Sequence, residues 1–398
     1  MHILFLSAWF PYPPDNGSKL RIYNLLRGLA GKHLVTLVSF SDRPQFEPAR
    51  QLKDICHEVH VVPARAYNPG GLRALLGLFN PKPRVLVDRF VPAMFDCIRQ
   101  EIDSGQYDLV VASQWYMAAY FDAFREVPAI FEEAEVGIFA DKVTRAAIPL
   151  QRLRNRLTML KMQAYFRRLM SHFAACTVVS QAERNLLKSM VPDYETVAVI
   201  PNGVNLSDYR DVLQDPEPET LIFTGSFRYF VNYEAMLWFL NEVFPTVKAK
   251  LPGVRVTITG DHAGQPLPDL RNVVLTGFVE DVRPLIASSW ISLAPILTGG
   301  GTRLKILEAM ALKSPVISTS KGAEGLDVRH EEHLLLADTP QAFGAAVLRL
   351  LNEPALRRRL VDNAYRLVRE KYDWQVVLPQ FLSLAEQVAQ AAQVPLRH

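Results

Sequence analysis

Short apolar runs alternate with helix-forming stretches along the whole chain, and this alternation constrains the fold more than any other feature. Within each run most positions are apolar, not only every second one, which is typical of parallel strands that helices cover on both faces. The repeated order strand, helix, strand predicts an α/β fold built from βαβ units. The predicted strands are His2–Ala8, Leu34–Phe40, Glu58–Ala64, Leu109–Ser113, Ala129–Glu132, Cys176–Ser180, Leu221–Phe227, Val254–Gly260, Val273–Val279, Ile291–Leu297, Ser314–Ser320 and His333–Ala337.

Four prolines divide the chain into two halves of this kind, because they interrupt the pattern between residues 191 and 218. A chain of 398 residues is too long for one hydrophobic core and suits two domains. We predict Rossmann-like doubly wound domains over residues 1–195 and 196–373, followed by a helix within 374–398. Ligands of such sheets bind at the carboxyl ends of the strands, which predicts an active site in a cleft between the domains.

Composition excludes several classes of protein. The net charge of +3 is too small to indicate a nucleic-acid partner. Cys56, Cys97 and Cys176 are far apart and lie in apolar surroundings, so we expect buried, inert thiols and a cytoplasmic protein. The apolar N terminus is short and lacks a basic flank, which favours a strand over a signal peptide. No apolar run reaches the roughly 18 residues that a membrane span needs.

A glycine loop lies between a predicted strand and a predicted helix. Gly299, Gly300 and Gly301 allow a sharp turn and a close approach to a ligand. Thr302 is a suitable N-cap for the helix formers that begin at Arg303. The free N–H groups and the positive end of the helix dipole would bind a phosphate.

Charged side chains follow this loop. Arg303 and Lys305 place two positive charges in the first turn, and Glu308 shares a helix face with Lys305 and can accept hydrogen bonds from hydroxyls. Cations for a diphosphate next to a carboxylate for a ribose suit a nucleotide diphosphate sugar. The alternative is a surface ion pair of Lys305 and Glu308 on an ordinary helix.

The segment Glu308-Ala-Met-Ala, with Pro315-Val316 after it, resembles the donor-site signature of GT-B glycosyltransferases of the GT4-like retaining group. Further motifs match that family in the right order, so that the resemblance covers essentially the whole chain. Residues 200–205 are similar to its Pro-Asn-Gly-Val-Asp turn, 221–239 to the first strand and helix of its donor domain, and 276–282 to its Gly-x-Val-x-Asp segment near the nucleoside.

The resemblance implies a GT-B fold, with two Rossmann-like domains facing across a cleft and a last helix, 374–398, that crosses back to the N-terminal domain. It implies a nucleotide diphosphate sugar as co-substrate and no other cofactor. No Asp-x-Asp metal motif stands at a predicted strand end, and Arg303 and Lys305 can neutralise the diphosphate, so we expect no metal. The implied acceptor is a saccharide or a lipid-linked molecule, in the branch associated with bacterial exopolysaccharide assembly. The candidate donor-binding residues are Gly17, Gly225, Arg228, Asn232, Val279, Gly300, Gly301, Thr302, Arg303, Lys305 and Glu308.

Two positions depart from the family pattern. Gly300 stands where the family often has a glutamate that touches the donor sugar. The Arg and Lys that commonly follow the first donor-domain strand are not matched at 226–228 and Asn232, so we expect Arg303 and Lys305 to supply the charge for the phosphates.

Two segments of the first half are candidates for the acceptor side. Gly17 lies in a turn-forming loop, residues 13–19, that leads into a helix, and it would offer backbone N–H groups at the cleft, unless the loop is a plain strand-to-helix turn. Glu133 and Glu135 follow the fifth strand and would lie on one side of an extended chain. They are our candidate catalytic residues, as general base, for positioning a hydroxyl, or for stabilising an oxocarbenium-like centre. The alternative is that they are solvated loop acids.

A basic stretch with interleaved leucines and aromatic residues runs from 142 to 182 without an acid. Such a stretch predicts an amphipathic helix that contacts an anionic membrane through 142–170, at the inner face of the membrane, with a solvated helix face as the alternative. Its basic residues are Lys142, Arg145, Arg152, Arg154, Arg156, Lys161, Arg167 and Arg168.

Taken together, these features predict a metal-independent glycosyltransferase. The alternative of another class is a non-catalytic GT-B module that binds a nucleotide or a partner protein, which the missing carboxylate at Gly300 favours. An epimerase or a phosphorylase on the same fold is a weaker alternative.

Overall fold

The computed structural model describes residues 1–42, 48–137, 149–212, 214–268, 270–299 and 303–393. The chain divides into two compact units, the first made of Met1–Pro201 with Leu378–His398 and the second of Asn202–Val377. Each unit contains one sheet in which all neighbouring strands are parallel.

The sheet of the first unit has the order β3-β2-β1-β4-β5-β6-β7. Its strands are β1 His2–Ser7, β2 Leu34–Ser41, β3 Glu58–Pro63, β4 Leu109–Ser113, β5 Ala129–Glu132, β6 Ala175–Val178 and β7 Val197–Val199. The helices around it are α1 Gly17–Ala30, α2 Pro48–Leu52, α3 Leu72–Leu76, α4 Arg84–Arg89, α5 Pro92–Ser104, α6 Gln114–Ala118, α7 Pro149–Met170 and α8 Gln181–Met190, with a 3₁₀ turn at Phe121–Ala123.

Helix α1 shows how local sequence and packing agree. Asn16 caps it, since its Oδ1 accepts a hydrogen bond from the Lys19 N–H at 3.1 Å. Ile22, Leu25 and Leu29 recur at helical spacing, and each is completely buried. Burial of one such side chain contributes about 1.5–3 kcal/mol. This face therefore fixes α1 on the sheet, which places the start of α1 after β1.

The sheet of the second unit has the order β10-β9-β8-β11-β12-β13, so the first and fourth strands of this unit are neighbours at its centre. Its strands are β8 Glu217–Thr224, β9 Arg255–Thr259, β10 Val273–Gly277, β11 Ser289–Ala294, β12 Val316–Ser318 and β13 Leu335–Leu336. The helices are α9 Phe230–Trp238, α10 Phe244–Lys250, α11 Arg283–Ala287, α12 Leu304–Ala311, α13 Pro340–Asn352 and α14 Pro354–Leu367, with a 3₁₀ turn at Leu206–Tyr209 and π-helical turns at Phe239–Val243 and Val368–Tyr372.

The final helix, α15 Trp374–Gln393, begins in the second unit and belongs to the first from Leu378 onward. Within the first unit Leu378 lies against α1, where a Cβ on Gly28 would come within 2.8 Å of its Cδ2. Phe381 and Val388 of α15 are buried.

All twelve predicted strands are present, and the prediction of two α/β domains with parallel sheets is confirmed. The structure adds β7, which pairs with β6. Three residues before the break at Pro201 are too few to give a periodic signal, so the sequence did not predict this strand. Several predicted strands extend beyond the observed ones at their C-terminal ends. For example, β11 ends at Ala294 and not at Leu297, because the chain leaves the sheet at Pro295.

The structure also bears on the cysteines and on membrane spans. Cys56 and Cys176 are buried, and burial raises the pKa of the Cys56 thiol to about 12, whereas Cys97 is half-buried. Over the described ranges, no helix has the length and apolar character that crossing a bilayer requires.

Candidate functional site

The carboxyl edge of the second sheet brings several predicted residues together. There β8 and β11 lie side by side, and the chain leaves them towards β9 on one side and β12 on the other. Such a switch point is where open α/β sheets bind ligands, because the diverging connections leave a crevice. Gly225, which follows β8, and Lys305, in the first turn of α12 after β11, both lie at this edge.

Gly225 lets two side chains approach the end of β8. Its φ of +146° is a conformation that residues with a Cβ rarely adopt. A Cβ there would lie 2.7 Å from Asn232 Nδ2 and 3.0 Å from Lys305 Nζ. The glycine is therefore needed both for the turn and for the space that Asn232 and Lys305 occupy.

Lys305 is half-buried and held from two sides. Its Nζ donates a hydrogen bond to Asn232 Oδ1 at 2.9 Å and lies 4.0 Å from the centroid of the Phe223 ring. Asn232 is oriented for this contact, since its Nδ2 donates to the Ser226 carbonyl at 2.9 Å. Burial, aided by the charge of Arg303, lowers the pKa of Lys305 to about 7, against the opposing effect of Glu308. An anion at this place would restore the proton to Lys305.

Glu308 lies one turn further along α12 and is also half-buried. Its Oε1 accepts a hydrogen bond from the Tyr209 hydroxyl at 3.4 Å. Burial raises the pKa of Glu308, opposed by the Tyr209 bond and by the charges of Lys305 and Arg283. Lys305 and Glu308 therefore have separate partners in a partly desolvated place, which does not fit the alternative of a solvated surface pair.

Arg303 has a different environment from the one its sequence position suggests. It is buried, and its Nη2 donates to the carbonyl oxygens of Gly299 at 2.8 Å and Thr298 at 3.2 Å. Thr298 in turn donates from Oγ1 to Glu234 Oε2 at 2.7 Å. The guanidinium thus braces the loop after β11, a role that the sequence did not indicate.

The helix after this loop begins one residue later than predicted. Arg303 is the N-cap residue and Leu304 the first residue of α12, where we expected Thr302 to cap a helix starting at Arg303. Gly300, Gly301 and Thr302 themselves lie outside the described residues.

Two further donor candidates lie further from this centre. Arg228 is exposed and forms an ion pair with Asp261. Hydrogen bonds from the Ala263 N–H and then from Arg228 lower the pKa of the Asp261 carboxyl. Val279 is half-buried in the loop after β10, the edge strand of the sheet. The structure shows neither side chain in contact with Lys305 or Glu308 among the bonds it describes.

In the first unit, the candidate Gly17 is the first residue of α1. It directly follows the N-cap Asn16, and Lys19 in the same turn forms an ion pair with Asp15 at 3.0 Å. The helix thus begins within the predicted loop 13–19, with local polar contacts around its first turn.

Glu133 follows β5 and ends a chain of side-chain hydrogen bonds. Trp9 Nε1 donates to Gln114 Oε1 at 2.9 Å, and Gln114 Nε2 donates to Glu133 Oε2 at 3.1 Å. These residues follow β1, β4 and β5, which are neighbours in the sheet, so they lie at the switch point of the first unit. Gln114 and Glu133 have φ values of 65° and 55°, and such left-handed residues cost about 1–3 kcal/mol each. Strain of this kind is typical of functional positions.

A buried ion pair lies next to Glu133. Arg21 Nε donates to Glu132 Oε1 at 2.6 Å, while Ser113 Oγ donates to Glu132 Oε2 at 2.6 Å. Arg21 also donates to the Ile200 carbonyl at 2.9 Å. Glu132 therefore has both oxygens occupied within the core, and we assign it a structural role.

Burial and a neighbouring charge together set the protonation of Glu133. Burial, and secondarily the charge of Glu132, raise the pKa of Glu133 to about 8, against the opposing charge of Arg21. At neutral pH Glu133 is therefore mostly a neutral carboxyl that can donate a hydrogen bond, and it is poorly suited to act as a general base.

Glu135 does not share an extended segment with Glu133. Its N–H donates to the Glu133 carbonyl at 3.0 Å, so the chain turns tightly between the two residues. The expectation that both side chains point to one side of an extended chain is wrong, because Glu133 adopts a left-handed conformation. Glu135 is half-buried.

One group of side chains in the described part of the chain has the proximity that a metal ion needs. Glu58, His60 and Glu101 bring ligand atoms within 4.8 Å of one another beside β3. They lie at the surface, and Glu101 already accepts a hydrogen bond from Tyr107 at 2.7 Å. The cluster is apart from both switch points.

The sequence did not single out four residues that act on the candidates, by a hydrogen bond, through a bonded neighbour or by charge. Trp9 and Gln114 each follow a predicted strand, and this position at a strand end was the available signal. Tyr209 comes four residues after the Asn205 turn that resembled a family motif, and Arg283 follows the Val279 segment; no spacing rule linked either of them to Glu308.

Family models match both units. Residues 16–208 match the model described as Glycosyltransferase Family 4, and residues 218–353 match the model described as Glycosyl transferases group 1.

Similar curated sequences include two proteins that align over part of their length. An uncharacterized 44.6 kDa protein in the cps region of Klebsiella pneumoniae is 26% identical over 38% of this chain and 42% of its own. Glycosyltransferase 1 domain-containing protein 1 of Xenopus tropicalis is 30% identical over 35% of this chain and 43% of its own. The chain thus aligns with less than half the length of either relative.

Solved structures match over nearly the full chain. Sucrose-phosphate synthase from Thermosynechococcus elongatus has a TM-score of 0.71 and 18% identity, covering 98% of this chain and 100% of that one. Anabaena HepE, solved in complex with UDP-glucose, has a TM-score of 0.64 and 15% identity, covering 97% and 100%. At these identities the likeness concerns the fold.

Proposed function

The chain belongs to the GT4-like group of GT-B glycosyltransferases, and we propose that it transfers a sugar from a nucleotide diphosphate sugar to a saccharide or lipid-linked acceptor. The proposed reaction breaks the bond between sugar C1 and the diphosphate oxygen and forms a bond between C1 and an acceptor oxygen. The proposal includes retention of the anomeric configuration, which rests on the family.

The observation that carries the proposal is the pair Lys305 and Glu308 at the switch point of the second sheet. A half-buried lysine with a pKa of about 7 lacks a full counter-charge, and a diphosphate would supply it. Glu308, one turn away, can accept hydrogen bonds from the two ribose hydroxyls. That HepE binds UDP-glucose in a crystal supports a donor of this chemical class.

The leaving diphosphate gains negative charge as the C1–O bond breaks. Lys305 and the N-terminal end of α12 supply positive charge. Because the site is partly buried, both stabilise the developing negative charge more strongly than they would in water. We therefore propose that transfer needs no metal ion. Arg303 contributes by bracing the loop through Thr298 and Gly299.

On the acceptor side we propose that Glu133 acts as a neutral carboxyl. It would donate a hydrogen bond to an oxygen of the substrate and so position it, while Gln114 and Trp9 fix its orientation. Glu135 stays a second candidate near the same place. The relative in a cps region supports a role in bacterial exopolysaccharide assembly.

The first experiment is ligand-observed NMR with UDP-, GDP-, dTDP-, ADP- and CMP-sugars on the wild type, Glu308→Ala and Lys305→Met. We expect one nucleotide class to bind the wild type and neither variant. Glu370→Gln is the matched control, since this exposed glutamate pairs only with Arg369 at 3.6 Å among the contacts described for it. Binding that persists in Glu308→Ala would exclude the proposed donor site.

The second experiment separates binding from transfer. Glu133→Gln and Glu135→Gln should bind the donor with wild-type affinity, and at least one of them should lose transfer to the acceptor or hydrolysis of the donor. Donor binding without transfer or hydrolysis in the wild type would favour the non-catalytic module. The NMR coupling between H1 and H2 of the product tests retention, and an inverted anomer would contradict it.

A further inference from the structure

Apolar side chains are exposed along one stripe of α7. Leu153, Leu157 and Leu160 follow each other at spacings of four and three, so they share one face of the helix. Each is 55–61% exposed. By contrast, the C-terminal half of the same helix is in the core, where Phe166 and Leu169 are buried. The helix is thus anchored by one half and presents leucines to solvent with the other.

A second apolar segment lies beside this stripe. Lys161, one turn after Leu157, donates from Nζ to the carbonyl oxygens of Gly77 at 2.9 Å and Leu78 at 3.3 Å. This contact joins α7 to the loop after α3. The exposed apolar side chains of that region are Leu72, Leu75, Leu76, Leu78 and Phe79, of which Phe79 is 91% exposed.

The loop that carries Phe79 is held in place by its backbone. The Leu78 N–H donates to Leu75 at 3.0 Å and the Phe79 N–H to Leu76 at 3.1 Å. A Cβ on Gly77 would lie 2.8 Å from the Cα of Arg84, so the loop also packs closely on α4. An ordered protein surface of contiguous exposed leucines and a phenylalanine usually marks an interaction site.

The two segments that carry this surface are basic in sequence. Residues 59–87 contain four lysines or arginines and no acid, and residues 149–182 contain six and no acid. A second copy of this chain would bring two such basic surfaces face to face in a symmetric contact, which like charges oppose. An anionic lipid surface satisfies both features, since its headgroups attract the cations and its acyl region takes up the leucines.

We propose that the leucine stripe of α7 and the segment 72–79 form a surface that docks on an anionic phospholipid bilayer. The proposal differs from the expectation drawn from sequence, which placed residues 142–170 on the membrane. Tyr165, Phe166 and Leu169 belong to the core, residues 142–148 lie outside the described chain, and α3 with its loop was not foreseen. The docking surface rests on the proposed function, since a lipid-linked acceptor lies in a membrane. Vesicle binding can nevertheless be measured without any donor.

The test is flotation of the full chain with vesicles of phosphatidylcholine alone or with about one third phosphatidylglycerol. We expect binding to the anionic vesicles, weakened by salt because the headgroup attraction is screened. The triple variant Leu153→Ser, Leu157→Ser, Leu160→Ser should bind about a hundredfold to a thousandfold less, because each leucine contributes about fivefold to tenfold. Phe79→Ser alone should bind about tenfold less.

Leu34→Ser is the matched control, because this leucine is 45% exposed on β2 of the same unit. It should bind vesicles as the wild type does. Equal binding of the wild type and the triple variant, or no binding of anionic vesicles by the wild type, would overturn the proposal. A dimer in sedimentation that the triple variant converts to a monomer would assign the surface to a second copy instead. Because the nucleotide-sugar panel is run without vesicles, a negative flotation result does not affect the proposed donor site. Likewise, a negative result with the nucleotide sugars does not affect the docking surface.

Discussion

Binding of the donor should be accompanied by proton uptake at Lys305. In the free protein the pKa of this lysine is about 7, because burial and the charge of Arg303 disfavour the ammonium form. A diphosphate next to Nζ would raise the pKa towards its ordinary value of about 10.4. At pH 8 the free lysine carries about 0.1 proton and the bound one about 1, so that binding takes up about 0.9 proton.

The same linkage sets the pH dependence of affinity. Below pH 7 Lys305 is charged before binding, and the affinity contribution of this group is constant. Between pH 7 and pH 9 the protein must first acquire the proton, so Kd for the donor should rise about tenfold per pH unit. The free energy of unfolding depends on pH for the same reason. Burial of the Lys305 ammonium lowers it by a constant amount below pH 7, and this loss disappears as pH rises towards the pKa of the lysine in the unfolded chain.

Isothermal titration calorimetry measures this uptake directly. Titrations of the nucleotide sugar at pH 8 in phosphate and in Tris give different apparent enthalpies, and the slope against the ionisation enthalpy of the buffer is the number of protons taken up. Glu308→Gln is the control, because it removes the other group of the site whose pKa is shifted, and it should leave the slope unchanged. Lys305→Arg should reduce the slope to near zero, since arginine is always charged. A slope near zero in the wild type would refute the assignment of Lys305 to the diphosphate.

Three further predictions concern single side chains. Glu308→Gln should weaken donor binding about tenfold to hundredfold in calorimetry, because a charged acceptor for the ribose hydroxyls is lost. Gly225→Ala should lower the free energy of unfolding in urea by about 2 kcal/mol and abolish donor binding, since its Cβ would displace Lys305. The control is Gly264→Ala, which is also at positive φ but has open space around it and should keep donor binding. Glu133→Gln should become more stable relative to the wild type as pH rises from 5 to 8, because in this range the unfolded wild type loses the Glu133 proton whereas the folded wild type keeps it. A difference in urea midpoint between variant and wild type that is the same at pH 5 and pH 8 would contradict the raised pKa.

The architecture could be predicted because its signal is distributed. Apolar runs with helices between them specify parallel strands many times over, and one misplaced boundary changes little. The short strand β7 and the exact end of β11 could not be predicted, because each depends on one or two backbone hydrogen bonds in the assembled sheet.

The candidate site was predictable only where its residues are close in sequence. Lys305 and Glu308 lie in one helical turn, so their common face follows from helix geometry. Asn232 was placed in the site by its motif, but its bond to Lys305 depends on Gly225 leaving space between distant segments. The engagement of Arg303 with its own loop could not be foreseen, because a guanidinium at a helix start is equally able to face a ligand.

Glu132 and Glu133 show why adjacent residues of one type can differ in chemistry. Glu132 is the last residue of β5, and Arg21 and Ser113 satisfy both of its oxygens. Glu133 leaves the strand in a left-handed conformation and has Gln114 as its described side-chain partner. The charge of Glu132 adds to burial in keeping the neighbouring Glu133 carboxyl protonated. Removing the ion pair through Arg21→Met with Glu132→Leu should therefore lower the pKa of Glu133 as well as alter the core, which carbon-13 NMR of the Glu133 carboxyl can measure; an unchanged pKa of about 8 would mean that burial alone sets it.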